Sequence, residues 1–192
     1  MELIFIRHGQ GEHTVNLPES LRLINPSLTS EGVIQAKKLR SSLPLTSEDV
    51  LIVSPTLRTL QTASIWSEGT DCYKFVHPLV APRIFPTRLA ATTLPCDELL
   101  SLERIQDEFS SFTPASNLTS SLWSKGINVL SEDEFVLLAE EFVGFCQSLQ
   151  RERIYIVTHD GTITSYRQKI SAQLLTREDF LEETEWFQLV VE

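Results

Sequence analysis

Histidine and arginine occur together in three short segments of the sequence. The segments are Arg7-His8-Gly9, Ser54-Pro55-Thr56-Leu57-Arg58 and Thr158-His159-Asp160-Gly161. An arginine fork matches the oxygens of a phosphate group. A neutral imidazole can accept a phosphoryl group, and neighbouring cations favour that neutral form. These residue types therefore indicate a phosphate pocket with a histidine nucleophile.

Each of the three segments directly follows a short apolar run that is typical of a buried strand. These runs span residues 2–6, 50–53 and 154–157, and residues 186–191 are interpreted as a further strand. Helical patterns begin at Thr29 and cover residues 56–67 and 132–150. Alternating strands and helices predict an α/β three-layer sandwich, with a mostly parallel sheet and helices on both faces.

Open parallel sheets bind ligands beyond the carboxyl ends of their strands. Because the three segments lie at such ends, Arg7, His8, Arg58 and His159 are expected to meet at one edge of the sheet. Helices that start after these segments would add backbone N–H donors for an anion.

Residues 78–130 lack a sustained period and are rich in Pro, Thr and Ser. They are interpreted as a long excursion from the sheet, with a short helix near 97–109. Long loops of this kind often form lids or substrate-binding segments. The prediction is a single domain over residues 1–192 with a lid-like excursion.

The formal net charge of −10 argues against a nucleic-acid or anionic-membrane partner. No apolar run approaches the roughly 20 residues of a membrane span. The N-terminus lacks the pattern of a signal peptide, which favours a cytoplasmic location. The three cysteines are far apart and indicate neither a disulfide framework nor a zinc site. The sequence leaves the oligomeric state open.

Three stretches of the chain together resemble the histidine phosphatase superfamily, the phosphoglycerate-mutase-like group with an Arg-His-Gly signature. The stretches are residues 7–13, residues 54–63 and residues 158–161, with Leu28-Thr29-Ser30-Glu31-Gly32 as a further match. The resemblance implies a phosphoglycerate-mutase-like fold and phosphoryl transfer without a metal or other cofactor. It implies that His8 is phosphorylated transiently, and that Arg7, Arg58 and His159 surround the phosphoryl group.

The sequence departs from the family pattern at the expected proton donor. Members of this family usually carry an acid in the region of residues 82–88, which contains no carboxylate here. Asp97 is the preferred candidate, followed by Glu98 and Glu12. An alternative role for Asp97 is that of N-cap of a helix over residues 98–109.

A second group of residues is predicted to contact the substrate. It consists of Gly9, Gly11, His13, Thr14, Arg83, Asp160 and Gly161. Arg83 and Arg88 could bind a second anionic group, or could be solvated. His13 could equally be an exposed loop residue. Asp160 could orient His159 or cap the following helix.

The predicted activity is the metal-independent hydrolysis of a small phosphorylated substrate, a phosphate monoester. Two alternatives remain open: phosphoglycerate-mutase-type transfer, and a weakly active module that binds a phosphorylated ligand. The enclosing insertion is smaller than in the mutases of the family, which favours hydrolysis. No Gly-x-Gly-x-x-Gly motif follows the first strand, which disfavours a Rossmann-like nucleotide binder. The sequence does not specify the substrate.

Overall fold

The three apolar runs at residues 2–6, 50–53 and 154–157 form adjacent strands in the middle of one sheet. The computed structural model describes residues 1–88 and 90–191, and within them this sheet has six strands in the order β4-β3-β2-β5-β1-β6. The strands are β1 (Glu2–Arg7), β2 (Val50–Val53), β3 (Tyr73–Val76), β4 (Thr113–Pro114), β5 (Arg153–Thr158) and β6 (Trp186–Val190). Strand β6 runs antiparallel to β1, and the other paired strands are parallel. The prediction of a mostly parallel α/β sheet is confirmed.

The helices connect these strands. They are α1 (Ser30–Ser42), α2 (Leu57–Trp66), α3 (Leu102–Glu108), α4 (Ser120–Lys125), α5 (Glu132–Ser148) and α6 (Asp160–Ser171). Helices α1, α3, α4 and α5 begin at a Ser or Thr whose side chain caps the helix. Thr29 caps α1, and Ser131 forms a capping box with Glu134 at the start of α5. No helix in the described part of the chain combines the length and apolar character that a membrane span needs.

Successive residues of the central strands enter hydrophobic clusters on opposite faces of the sheet. On one face Phe5 stacks on Tyr166 of α6, with 5.2 Å between ring centroids, and α5 packs beside them. On the other face Tyr155 meets Trp66 of α2 edge-on at 5.4 Å, and α1 completes the layer. The prediction of helices on both faces is therefore confirmed.

The segment 78–130 departs from the prediction in one respect. It was expected to leave the sheet, but Thr113–Pro114 returns to it as β4 and pairs with β3. Neither strand was predicted, since β4 has only two residues and β3 begins with the exposed Tyr73. The short helix expected near 97–109 is present as α3, and Ser101 is its N-cap.

Candidate active site

The carboxyl ends of β1, β2 and β5 open into a cavity of about 720 Å³. Side chains from the three segments noted in the sequence line its floor. They are Arg7, His8, Arg58, His159 and Asp160. Asp97 joins them from a short 3₁₀ turn at Pro95–Asp97. The structure thus brings together all five residues predicted to be catalytic.

His8 and His159 face each other across the cavity floor, and Arg58 bridges them. Their ring centroids are 5.1 Å apart. Arg58 Nε donates to His8 Nε2 at 3.2 Å, and Arg58 Nη2 lies 3.2 Å from His159 Nδ1. The guanidinium is 2% exposed, so these contacts are shielded from water. The buried guanidinium of Arg58 therefore contacts both imidazole rings.

The hydrogen bonds assign the tautomer of each ring. His8 Nδ1 lies 2.7 Å from the Gly9 carbonyl, which can only accept, so Nδ1 carries the hydrogen. His8 Nε2 then has a lone pair, which accepts the N–H of Arg58 Nε. For His159 the arrangement is reversed: Nδ1 receives the Arg58 donor, and Nε2 donates to the Ser54 hydroxyl at 2.8 Å. Both rings are thereby held as neutral imidazoles with opposite tautomers.

Burial and positive charge keep these histidines unprotonated. Burial lowers the pKa of His8 well below its usual 6.5, and Arg58 lowers it further. The same two causes, in the same order, lower the pKa of His159. The neutral form is the nucleophilic form of imidazole. The lowered pKa therefore favours this form of His8 at pH 7.

Asp97 lies beside the bridging arginine. Its Oδ1 accepts from Arg58 Nη2 at 3.0 Å, and the Cys96 carbonyl accepts from Arg58 Nη1 at 2.6 Å. Burial raises the pKa of Asp97, and the attraction of Arg58 only partly offsets that rise. Because Ser101 caps α3, the alternative interpretation of Asp97 as an N-cap is wrong. The remaining acid candidates, Glu98 and Glu12, do not line the cavity.

Arg7 is paired with the second carboxylate of the cavity. Arg7 Nη2 lies 3.1 Å from Asp160 Oδ2, and Arg7 Nη1 donates to the Leu181 carbonyl at 2.6 Å. Asp160 Oδ1 also accepts from the backbone N–H of Gly161 at the start of α6. Each of these two arginines thus has its own carboxylate partner, Asp160 for Arg7 and Asp97 for Arg58.

His13 brings a third imidazole to the edge of this group. Its ring centroid is 5.6 Å from that of His8, and its Nδ1 is buried without a hydrogen-bond partner among the described residues. Burial, helped by Arg58 and Arg7, lowers the pKa of His13 to about 3. The ring fits only because residue 11 is glycine, since a Cβ there would lie 2.6 Å from His13 Nδ1. Gly11 therefore creates the space in which His13 faces the cavity.

Three other residues predicted to contact the substrate are Thr14, Gly9 and Gly161. Thr14 lines the cavity and donates its hydroxyl to the Gly11 carbonyl at 2.9 Å. Gly9 and Gly161 are close-packing positions, because added Cβ atoms would lie 2.7 Å from the Gly32 oxygen and 2.2 Å from the Arg83 oxygen. These two glycines let the loops approach one another closely.

Arg83 requires a correction. The expected alternatives were a solvated side chain or a grip on a second anion, yet its side chain is buried. It donates to the carbonyls of Ile127 and Leu130 and pairs with Glu132 at 3.0 Å. Its guanidinium also lies 4.2 Å from the centre of the Phe135 ring. The guanidinium of Arg83 therefore bonds within the excursion (residues 78–130) and to α5, and these contacts hold the two together.

Sequence reasoning missed several residues in and behind the cavity wall. Ser54 orients His159, and its position at the end of β2 could have indicated this role. Asn128 approaches Asp97 at 3.5 Å, and Arg177 and Phe180 form part of the outer wall. These three belong to segments without a motif, so only the fold reveals them. Within the described residues, no group of three His, Cys, Asp or Glu side chains is arranged to hold a metal ion.

The sequence matches one protein family over part of its length. Residues 3–80 match the model of the histidine phosphatase superfamily (branch 1). This stretch contains Arg7, His8 and Arg58, whereas His159 lies beyond it. A comparison with curated protein sequences gives no match.

Solved structures share the fold over nearly the whole chain. The alpha-ribazole phosphatase from Shigella flexneri is 18% identical with a TM-score of 0.61, covering 100% of this chain and 91% of the other. The phosphoserine phosphatase from Entamoeba histolytica, in complex with 3-phosphoglyceric acid, is 18% identical with a TM-score of 0.62 and coverages of 98% and 90%. A mycobacterial glucosyl-3-phosphoglycerate phosphatase with bound VO3 is also 18% identical, with a TM-score of 0.58 and coverages of 98% and 92%.

At 18% identity the solved structures show a shared fold. The family model shows a sequence similarity that spans β1, β2 and β3. Both comparisons name phosphatases. Residues 3–80 are thus similar in sequence to the histidine phosphatase superfamily (branch 1), and the chain shares its fold with the solved phosphatases named above.

Proposed function

We propose that the protein is a phosphatase that hydrolyses a phosphate monoester through a phosphohistidine on His8. The observation that carries the proposal is the state of the His8 ring. Its Nδ1 hydrogen is bound to the Gly9 carbonyl, its pKa is well below 6.5, and its Nε2 lone pair faces the cavity beside Arg58. The structural neighbours named as phosphatases support the reaction class.

In the first step the Nε2 lone pair of His8 attacks phosphorus, and the bond from phosphorus to the leaving oxygen breaks. The ring becomes positively charged while it carries the phosphoryl group. The hydrogen bond from Nδ1 to the Gly9 carbonyl stabilises that charge. In the second step water attacks phosphorus, the P–N bond breaks, and neutral His8 and inorganic phosphate are released.

Arg58, Arg7 and His159 are proposed to stabilise the equatorial oxygens of the transferred group. A phosphoryl group on His8 Nε2 takes the position of the Arg58 N–H that contacts this nitrogen. The same donor then lies beside phosphoryl oxygens. His159 contributes from the opposite side of the floor, 5.1 Å from His8 between ring centroids.

Asp97 is proposed as the general acid and base. Its raised pKa favours the protonated form needed to donate a proton to the leaving oxygen. The carboxylate that results can then accept a proton from the attacking water. Asp97 borders the cavity from the excursion, on a different element from the nucleophile.

The test measures phosphate release from an aryl ester, p-nitrophenyl phosphate, and an alkyl ester, glycerol 1-phosphate, with a chelator present. His8→Ala is expected to abolish turnover of both. Asp97→Asn is expected to slow the alkyl ester by about 10²–10⁴-fold and the aryl ester much less, because p-nitrophenolate needs little protonation. Asp160→Asn removes the other cavity carboxylate and provides the comparison for Asp97.

His77→Asn is the matched histidine control, since His77 is buried away from the cavity. Brief acid-free quenching with a radiolabelled substrate should detect labelled protein in the parent and none in His8→Ala. Full activity of His8→Ala would refute the phosphohistidine route. An inert parent that still binds phosphate would support the module that binds a phosphorylated ligand, and transfer between phosphoglycerates would support the mutase alternative.

A further inference from the structure

The cavity extends well beyond the group of residues that would surround a phosphoryl group. Its volume of about 720 Å³ is in the range of pockets that enclose drug-sized ligands. The floor residues His8, Arg58 and His159 are buried, whereas a separate set of side chains, several of them exposed, forms the outer walls. A substrate that consists of little more than its phosphate would leave those walls without contacts.

The outer walls include apolar and aromatic side chains. Phe85 and Phe180 lie against each other with ring centroids 6.2 Å apart. Leu17 and Leu94, also in the lining, are 61% and 41% exposed. Apolar side chains left open to water at the mouth of a cavity favour a ligand with apolar surface.

Two arginines in this outer part have no anionic partner. Of the five arginines lining the cavity, Arg7, Arg58 and Arg83 are each paired with a carboxylate. Arg88 and Arg177 form no ion pair with any residue in 1–88 or 90–191. Arg177 instead lies over the Phe180 ring, 5.6 Å from its centre.

Unpaired cations stand out in a chain with 26 acidic and 16 basic residues. The acidic groups at the floor are already matched to Arg7 and Arg58. Arg177 therefore presents a positive charge next to an aromatic wall, in the same cavity as the nucleophile. Arg88 enters this cavity from the excursion, and Arg177 enters it from the segment before β6.

We propose that the substrate is a phosphate monoester with an apolar body and a second anionic group, bound by Phe85 and Phe180 and by Arg177 with Arg88. This inference rests on the proposed function, since it takes the floor as the phosphate site. A carboxylate or a second phosphate would supply the required charge. Arg177 is a specificity residue that touches the far end of the substrate.

The experiment measures dissociation constants of non-hydrolysable phosphonates by calorimetry, so that the chemistry of the leaving group has no influence. Methylphosphonate probes the floor alone, and benzylphosphonate adds an apolar body. Carboxylated benzyl and biphenylmethyl phosphonates add a second charge at two distances. The same two compounds with a distal phosphonate in place of the carboxylate distinguish a phosphate from a carboxylate.

Benzylphosphonate is expected to bind at least about tenfold more tightly than methylphosphonate, because its ring is removed from water. A second charge at one of the two lengths is expected to add about threefold to tenfold. Arg177→Gln should remove this second gain and leave methylphosphonate binding unchanged. Arg104→Gln is the matched control, since Arg104 pairs with Glu108 on α3 outside the cavity.

The outcomes separate this inference from the proposed function. Equal affinity for all phosphonates, in a protein that hydrolyses p-nitrophenyl phosphate, would overturn the inference and leave the phosphatase proposal standing. A charge gain that survives Arg177→Gln and Arg88→Gln would overturn the assigned residues. Failure of every phosphonate to bind, together with no hydrolysis, would overturn the proposed function itself.

Discussion

His77 can be used to test whether burial keeps a histidine in this protein unprotonated. It is 2% exposed, and its ring packs on Phe142 and Phe145 at centroid distances of 5.1 and 4.8 Å. Its Nδ1 accepts the backbone N–H of Leu79. Burial lowers the pKa of His77 to about 3 from its usual 6.5. This histidine lies outside the cavity, so its effect on stability can be measured without involving the candidate site.

The direction of the pH effect follows from this lowered pKa. Below pH 6.5 the unfolded chain takes up a proton that folded His77 excludes, so the free energy of unfolding falls as the pH falls. The loss is about 1.4 kcal/mol per pH unit between 6.5 and 3, which gives about 2 kcal/mol at pH 5. His77→Asn keeps an acceptor for Leu79 but cannot titrate. Its destabilisation relative to the parent should therefore shrink by about 2 kcal/mol between pH 7.5 and pH 5.

Urea unfolding of parent and variant at several pH values measures this difference directly. Phe142→Leu is the control, because it disturbs the same packing without removing a titrating group, so its destabilisation should stay nearly constant with pH. A His77→Asn destabilisation that is equally constant would refute the conclusion that burial keeps His77 neutral. The other three histidines are the same in both proteins, and their contribution therefore cancels in the comparison.

Three further predictions concern the site and the packing around it. The kcat for an alkyl phosphate should decline as the pH rises above the elevated pKa of Asp97, and Asp97→Asn should lose this alkaline decline. Ser54→Ala should lower kcat/KM by about tenfold, because the buried Nε2–H of His159 loses its acceptor. An unchanged rate and pH–rate profile would show that this hydrogen bond does not contribute to activity. Gly161→Ala should lower the free energy of unfolding by about 2 kcal/mol or more, because the added Cβ would lie 2.2 Å from a backbone oxygen. Gly144→Ala is the control, since a Cβ there would meet nothing within 4 Å, and it should be neutral or stabilising. Thermal unfolding measures both variants.

Some parts of the site could be predicted from the sequence. In these parts a strand is directly followed along the chain by the residues that it brings to the cavity. Each apolar run is contiguous with the histidine or arginine that it positions, as in β1 and His8 or β5 and His159. Parallel pairing then brings these ends together without further information. This local coupling is why the sheet and the floor of the cavity follow from three short stretches.

The remaining parts depend on contacts between segments far apart in the chain. Arg83 looked like a free cation because its partners Ile127, Leu130 and Glu132 lie over 40 residues away. Arg177 carries no motif, and only the fold places it beside Phe180 at the cavity wall. Strand β4 depends on pairing with β3 rather than on its own two residues. Long-range packing decides these features, and no local pattern encodes it.

The paired arginines give the proposed mechanism an electrostatic consequence. Before substrate binds, Asp97 and Asp160 balance Arg58 and Arg7 at 3.0 and 3.1 Å, so the floor of this acidic protein is close to neutral. An arriving phosphate dianion competes for the same guanidinium donors and places negative charge beside both carboxylates. Like-charge repulsion and the loss of the Arg58 contact both raise the pKa of Asp97 further, above a value that burial has already raised. Substrate binding therefore promotes the protonated form of Asp97 that the leaving oxygen requires, and departure of the phosphate restores the ion pair.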